Sequence, residues 1–439
     1  MTGAAPHAAV IFGTFAFAYF FSALLRAVTA TLAPVFSAEL GLQAADLGLL
    51  AGAYFFGFAA LQLPLGRALD RFGPRRTSMV LLAVAVLGCA AFALAASLPG
   101  LIAARVLIGA GMAAGLMAPL TAYRRVFSQA AQLRANSWML MTGSLGMVAS
   151  TVPVQMLLPT LGWRGLFWAV AVMLLLAVVL IAVLLPRDPP PGLGTATAAS
   201  TPAATALEPT PPPQLLTPGE GLLLGAQAKR AAATQSGSYS AIVRHPLFVR
   251  LAPLGFFLYG GLVAVQSLWA GPWLTRVSGW TATQAAQGLF SINLAMLAAF
   301  GTWGAVMPHL ARRGITPLRL MRWGVPLPLL MLLVIVVLGD RSSATHWALW
   351  CVSCTFVSVS QPAVGAAFPA AQAGRALSAF NLVIFGGVFC IQWGIGLLID
   401  ALRAGGIDEI SSFQIAFGVF GLCCVASYAW FLRGADNPD

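Results

Sequence analysis

The feature that most constrains this chain is the repetition of apolar runs long enough to cross a bilayer. A helix needs about 20 mostly apolar residues to span the hydrocarbon core. Such runs recur at approximately 9–36, 45–66, 77–97, 100–125, 134–158 and 163–186. They resume at approximately 247–275, 282–306, 316–339, 344–368, 375–401 and 411–432. Inside lipid every backbone polar group must be satisfied within the protein, which favours helices for runs of this length. The expectation is an all-α membrane protein of twelve transmembrane helices. Composition agrees: 59% of residues are hydrophobic and 8% charged, with mean hydropathy +0.87. A soluble domain carries about 25% charged residues.

Residues 187–240 interrupt the pattern. They are rich in Pro, Ala and Thr, as in Asp188–Pro191 and Pro209–Pro213. With little apolar surface to bury, this stretch is expected to be a disordered linker. Leu215–Leu224 contains a few leucines that could rest on a membrane surface. The linker divides the chain into a six-span unit over 1–186 and another over 241–439. A shift of 241 positions places Arg71 on Arg312, Gly73 on Gly314, Phe127 on Phe368, Arg134 on Arg375 and Gly146 on Gly387. One offset serving two separate loops points to a duplicated bundle.

The net charge of +12 would suggest nucleic acid in a soluble protein. Here it is better explained by orientation and anionic lipid, and no nucleic acid partner is expected. One set of loops and span ends carries Arg67, Arg71, Arg75, Arg76, Arg124, Arg125, Arg134, Arg312, Arg313, Arg319, Arg322, Arg375 and Arg433. The other carries Arg164, Arg276, Arg341 and Arg403. The excess on the first set expects both termini in the cytoplasm. No Lys or Arg precedes the first apolar run, so it lacks the basic region of a cleaved leader and reads as a retained span.

Between spans 2 and 3 lies Gly66-x-x-x-Asp70-Arg71-x-Gly73-x-Arg75-Arg76. Gly73-Pro74 suits a tight turn. This spacing, between two apolar spans, resembles the loop between helices 2 and 3 of the major facilitator superfamily of transporters. The resemblance implies two pseudo-symmetric six-helix bundles around a midplane site, a monomer in the bacterial inner (plasma) membrane, and no cofactor. It also implies a gating role for Gly66, Asp70, Arg71, Gly73, Arg75 and Arg76, with Asp70 facing the start of span 11 near Gly374–Ser378. The duplicate loop has Ala311 in place of Asp70. Arg105, opening the run Arg105–Gly115 with Gly109 and Gly111, is similar to a span 4 motif of the superfamily. Span 5 holds Gly143, Gly146 and Pro153 but no Gly-Pro pair, a departure from the superfamily's drug exporters. Tyr19 with Arg26 in span 1 resembles the organophosphate–phosphate exchangers, although span 7 has no central partner arginine.

Arg26 lies well inside span 1. A charge near the bilayer centre costs at least about 2.5–3.5 kcal/mol on insertion scales, which points to a cavity, a partner or a ligand. The alternative is an arginine bonded to backbone carbonyls or snorkelling outward. Arg26 and Arg105 are the two basic residues within spans, and no Asp or Glu lies in a span interior. Asp46, Asp70 and Asp400 sit at span ends, and His7, His245, His309 and His346 are peripheral. No buried proton carrier is evident. Tyr259, Gln266 and Trp269 in span 7, Asn293 in span 8 and Asn381 in span 11 add neutral polar and aromatic candidates for a binding site. Trp273, Gln361, Gln392 and Trp393 belong to the same group. Tyr259 and Gln266, seven apart, share a helix face, and Trp269 and Trp273 share another. Cys351-x-x-Cys354 has redox spacing but no surrounding βαβ pattern, so small apolar packing residues are expected. No phosphate loop, metal-spaced cluster or nucleophilic triad is present. The sequence thus suggests a secondary transporter whose partners are the bilayer and a small, favoured-anionic solute. The alternatives are a proton-coupled drug or metabolite exporter, or a non-transporting membrane sensor.

Overall fold

The computed structural model describes residues 4–127, 129–186 and 239–433, and the described residues are helical with short connections. The expected linker, including Leu215–Leu224, lies almost wholly outside them. Ten helices are long and apolar enough to cross a membrane. Spans 2 and 5 complete the set of twelve, each running through an irregular step. Span 2 is the helix Ala44–Ala60 continued past Leu61 to a break at Gly73, after which span 3 runs to Leu94. Span 5 is the helix Gln129–Ala149 continued past Ser150 and Thr151 to a break at Gly162, after which span 6 runs to Leu184.

Span 1 is Ala4–Leu40, and span 4 combines Leu98–Met112 with Met117–Val126. In the second half, spans 7 to 12 are Pro246–Val277, Ala282–Arg312, Pro317–Leu338, Ala344–Ala366, Ala370–Ala404 and Glu409–Arg433. Consecutive spans alternate in direction, so the arginine-rich loops gather at one end of the molecule. That end is called the basic end below, and the opposite one the far end. The chain is a multi-pass membrane protein.

The offset of 241 residues marks matching geometry. Gly73 and Gly314 both adopt left-handed backbone, with φ of 79° and 70°, a region that glycine enters without a steric penalty. Gly146 on span 5 abuts the Phe20 carbonyl of span 1, and Gly387 on span 11 abuts the Phe256 carbonyl of span 7. A β-carbon at either position would collide with backbone, so both helix pairs use glycine for close approach.

Span 4 supplies the same service twice. Gly109 lies against the backbone of Tyr54 in span 2, while Gly111 lies against Ala85 in span 3. The Arg105–Gly115 run therefore seats span 4 between two neighbours. Cys351 and Cys354 are free, buried thiols one helical turn apart in span 10.

Candidate functional site

A cavity of about 360 Å³ lies between the two halves at mid-depth. From the first half, Tyr19, Ser22 and Arg26 of span 1 reach it, with Phe58 and Gln62 of span 2. Tyr259 and Gln266 of span 7, Gln361 of span 10, and Asn381 and Phe385 of span 11 face them from the second half. Met112, Met117, Met147, Met296 and Phe300 supply much of the apolar wall. Arg26 is the charged residue of this lining, and no carboxylate is among its described residues.

Span 7 departs from regular α-helix at Gly255–Tyr259, Val265–Trp269 and Trp273–Val277, where the turns are π-helical. Such widened turns often accompany functional sites. They include Tyr259 and Gln266, both of which face the cavity. Span 10 tightens to 3₁₀ geometry over Thr355–Val359, just before Gln361. Gly143 of span 5 leaves room for Tyr19; a β-carbon there would sit 2.7 Å from the phenol ring.

The profile described as Major Facilitator Superfamily matches residues 15–392. The chain belongs to the Major Facilitator Superfamily. A 180-residue stretch is 31% identical to the "Uncharacterized MFS-type transporter Rv1250" of Mycobacterium tuberculosis (strain ATCC 25618 / H37Rv), covering 39% of this chain and 30% of that protein. Over 209 residues it is 35% identical to the "Chloramphenicol resistance protein" of Streptomyces lividans, covering 46% of this chain and 50% of that protein. The chain thus spans half or less of these curated relatives. Among solved structures, it is similar to a bacterial homologue of the human lysosomal transporter Spinster in an inward-facing, unoccupied conformation. The TM-score there is 0.71 at 16% identity, over 99% of this chain and 98% of that one. At that identity the likeness establishes the fold alone.

Within this superfamily member the two intramembrane arginines occupy different places. Arg26 is half-buried at the cavity wall, its guanidinium beside the phenols of Tyr19 and Tyr54, and its buried Nε has no hydrogen-bond partner. Tyr54 is held in turn by donating to the Ser22 carbonyl at 3.3 Å. Arg105 does not reach the cavity. It is 1% exposed and donates from Nη1 to the Leu25 carbonyl at 2.9 Å. Its guanidinium lies 6.0 Å from the Tyr54 ring centre and 5.6 Å from that of Phe92. It clamps span 4 to the backbone just before Arg26 and to the ring beside it.

The remaining candidates divide similarly. Tyr19, Tyr259, Gln266 and Asn381 line the cavity. Asn293 lies behind the wall, accepting from Gln266 Nε2 at 2.8 Å and donating to the Met147 carbonyl at 3.5 Å. Asn381 accepts from Gln361 Nε2 at 2.5 Å. Trp269 is placed elsewhere: it is fully buried, donates to the Gln392 carbonyl at 3.2 Å and packs edge-on against Phe413 and Phe417. Trp273 joins the same packing, donating to Ser342 Oγ at 2.7 Å.

At the basic end a second cavity, of about 890 Å³, adjoins the first through Gln62 and Met117, which line both. Gly66 and Asp70 lie on one of its walls and Gly374, Arg375 and Ser378 on another. Asp70 is exposed, and no hydrogen bond or ion pair of its carboxylate is found among the described residues. Gly73 makes the turn, and Arg75 donates to the Ala182 carbonyl at 2.5 Å, tying the loop to span 6. Arg71 lies over the Phe72 ring, and Arg76 is exposed.

Sequence reasoning missed Tyr54, Ser22 and Gln62. Gln62 carried a signal, being an amide within an apolar run. Tyr54 carried none beyond its place in Tyr54-Phe55-Phe56, because its contact with Arg26 joins two separate spans.

Proposed function

We propose that this chain is a secondary transporter that moves a small amphipathic organic anion by alternating access. The observation that carries the reading is the lone cationic anchor, Arg26, on an otherwise neutral cavity wall. A partly desolvated guanidinium at the cavity wall suits a carboxylate or phosphate, which it can grip with two parallel hydrogen bonds. The Phe and Met side chains would hold the apolar body, and the Gln266–Asn293 and Gln361–Asn381 pairs its polar edges. The two halves would rock around this site.

We further propose that the basic end faces the cytoplasm of a bacterial inner membrane, which the arginine asymmetry supports. The cavity would then be reached from inside in this conformation. On that reading Asp70 is a gate element. When the basic end closes, its carboxylate meets the N-terminus of span 11, where a helix carries about half a positive charge.

Export of a neutral or cationic drug-like solute is the second reading. The apolar cavity wall and the likeness to a chloramphenicol resistance protein favour it. The two readings separate in proteoliposomes given a carboxylic acid and its methyl ester of matched size. Saturable flux of the acid, with little of the ester, is expected. Saturable flux of the ester and none of the acid would overturn the anion reading.

A further inference from the structure

At the far end the halves meet through spans 2 and 11, and the contact is built on backbone. Gly48 lies against the Gln392 carbonyl, and Gly396 against the carbonyl of Ala44. Span 7 closes on span 1 at the same end, with Gly271 against the Ala30 carbonyl. Packing of this kind brings two helices together but supplies little that could respond to a change in charge.

One side chain in this contact is charged. Asp400, in the last turns of span 11, reaches across to the first turn of span 2. Its Oδ1 accepts from the Ala44 N–H at 3.1 Å and its Oδ2 from the Ala45 N–H at 2.7 Å. These donors have no partner within their own helix, and the helix dipole favours an anion there. Span 2 has its own acid nearby, but Asp46 turns back to accept from the Gln43 N–H at 3.0 Å. Arg276, Arg403 and Glu409 lie around the adjoining far-end pocket. Glu409 there binds Arg276 at 3.4 Å and Arg403 at 3.7 Å. The bridge from one half to the other is thus left to Asp400.

We propose that Asp400 is the latch of the far gate. Its carboxylate holds spans 2 and 11 together while the basic end is open, and the contact must break for the far end to open. The two ends then share a plan. Span 11 closes one gate by presenting its terminal acid to the start of span 2, and span 2 has Asp70 at its own end, facing the start of span 11. In the present conformation the Asp400 contact is made, and among the described residues no bond of the Asp70 carboxylate is found. The inference rests on the alternating-access reading proposed above.

The test reads conformation directly, so its result is independent of whether a transported solute has been found. Val263, on the cavity wall, is replaced by cysteine in a background where the exposed Cys390 is serine. Labelling by a membrane-impermeant thiol reagent is then followed from each side of oriented proteoliposomes. Asp400→Asn removes the charge and one acceptor oxygen. Ala44→Pro removes one donor N–H at the first helical position, where proline is well tolerated. Gln43 already has the extended backbone (φ −80°, ψ 176°) that a following proline requires. Each change should raise far-side labelling about tenfold, the scale of one charge-assisted hydrogen bond, and combining them should add little. Unchanged far-side labelling in both variants would overturn the proposal. So would a lowered melting temperature without increased labelling, which would make Asp400 a cap of span 2 and nothing more.

Discussion

Arg26 and Arg105 are the same side chain in one bundle, on spans that touch, and they meet opposite fates. Arg105 turns one donor and its flat faces to the protein itself: the Leu25 carbonyl, the Tyr54 ring and the Phe92 ring. Arg26 is flanked by two phenols but opens on a cavity without a described carboxylate. What separates them is that Arg26 borders the cavity and Arg105 does not. The buried arginine is a structural strut that positions the half-buried one at the cavity wall, and the two make sense only together.

Four substitutions, at three positions, would break or sharpen this contrast. Arg26→Ala should have the largest effect. Loss of a two-pronged, charge-assisted contact corresponds to about 3–6 kcal/mol, or roughly 10²–10⁴-fold in anion affinity. The melting temperature of the ligand-free protein should barely move. Arg26→Lys, which keeps charge and loses the fork, should fall between wild type and alanine. Equilibrium binding and thermal melting on the same samples would check both, and normal anion binding by Arg26→Ala would end the anchor role.

Arg105→Met should show the reverse pattern. The change keeps bulk but removes the bond to span 1 and the contacts to two rings. It should destabilise the first bundle by about 1–3 kcal/mol, the range for a lost charged hydrogen bond. Affinity should fall less than in Arg26→Ala, because the anchor is displaced rather than removed. If Arg105→Met melts normally yet abolishes binding, the strut and the anchor have been assigned the wrong way round.

The smallest effect is expected from Asn293→Ala. It frees the Gln266 amide, which touches the cavity, from the Asn293 carbonyl behind it. A net hydrogen bond of about 0.5–1.5 kcal/mol is at stake. Binding of anions with a polar substituent should weaken a few-fold, while simpler anions bind as before. Equal losses for both would show that the amide pair supports the fold and does not read the ligand.

The architecture was legible because its cause is local. Any run of about 20 apolar residues must become a helix in lipid, so twelve spans and the break between halves could be counted along the chain. The turn at Gly73, and its repeat at Gly314, could be read from the same local chemistry, and both are left-handed. The limits were also physical. Trp269 has the composition of a binding-site residue, yet it faces Phe413 and Phe417 across a helix interface. A tryptophan in an apolar run carries no mark of which neighbour it meets. The π-helical turns of span 7 lie outside anything a regular 3.6-residue period can anticipate.

The sequence by itself determined the solvent, the helices, the division into two related halves and the short set of charges that lipid would not tolerate unpaired. These follow from transfer energies and backbone bonding, which act residue by residue. The tertiary structure decided which of those charges is spent and which is available. Arg105 is bonded to the Leu25 carbonyl away from the cavity, Arg26 faces the cavity, Asp400 is engaged with span 2, and Asp70 is exposed beside the basic-end cavity. Each outcome depends on partners tens to hundreds of positions away, brought together by packing of the two bundles.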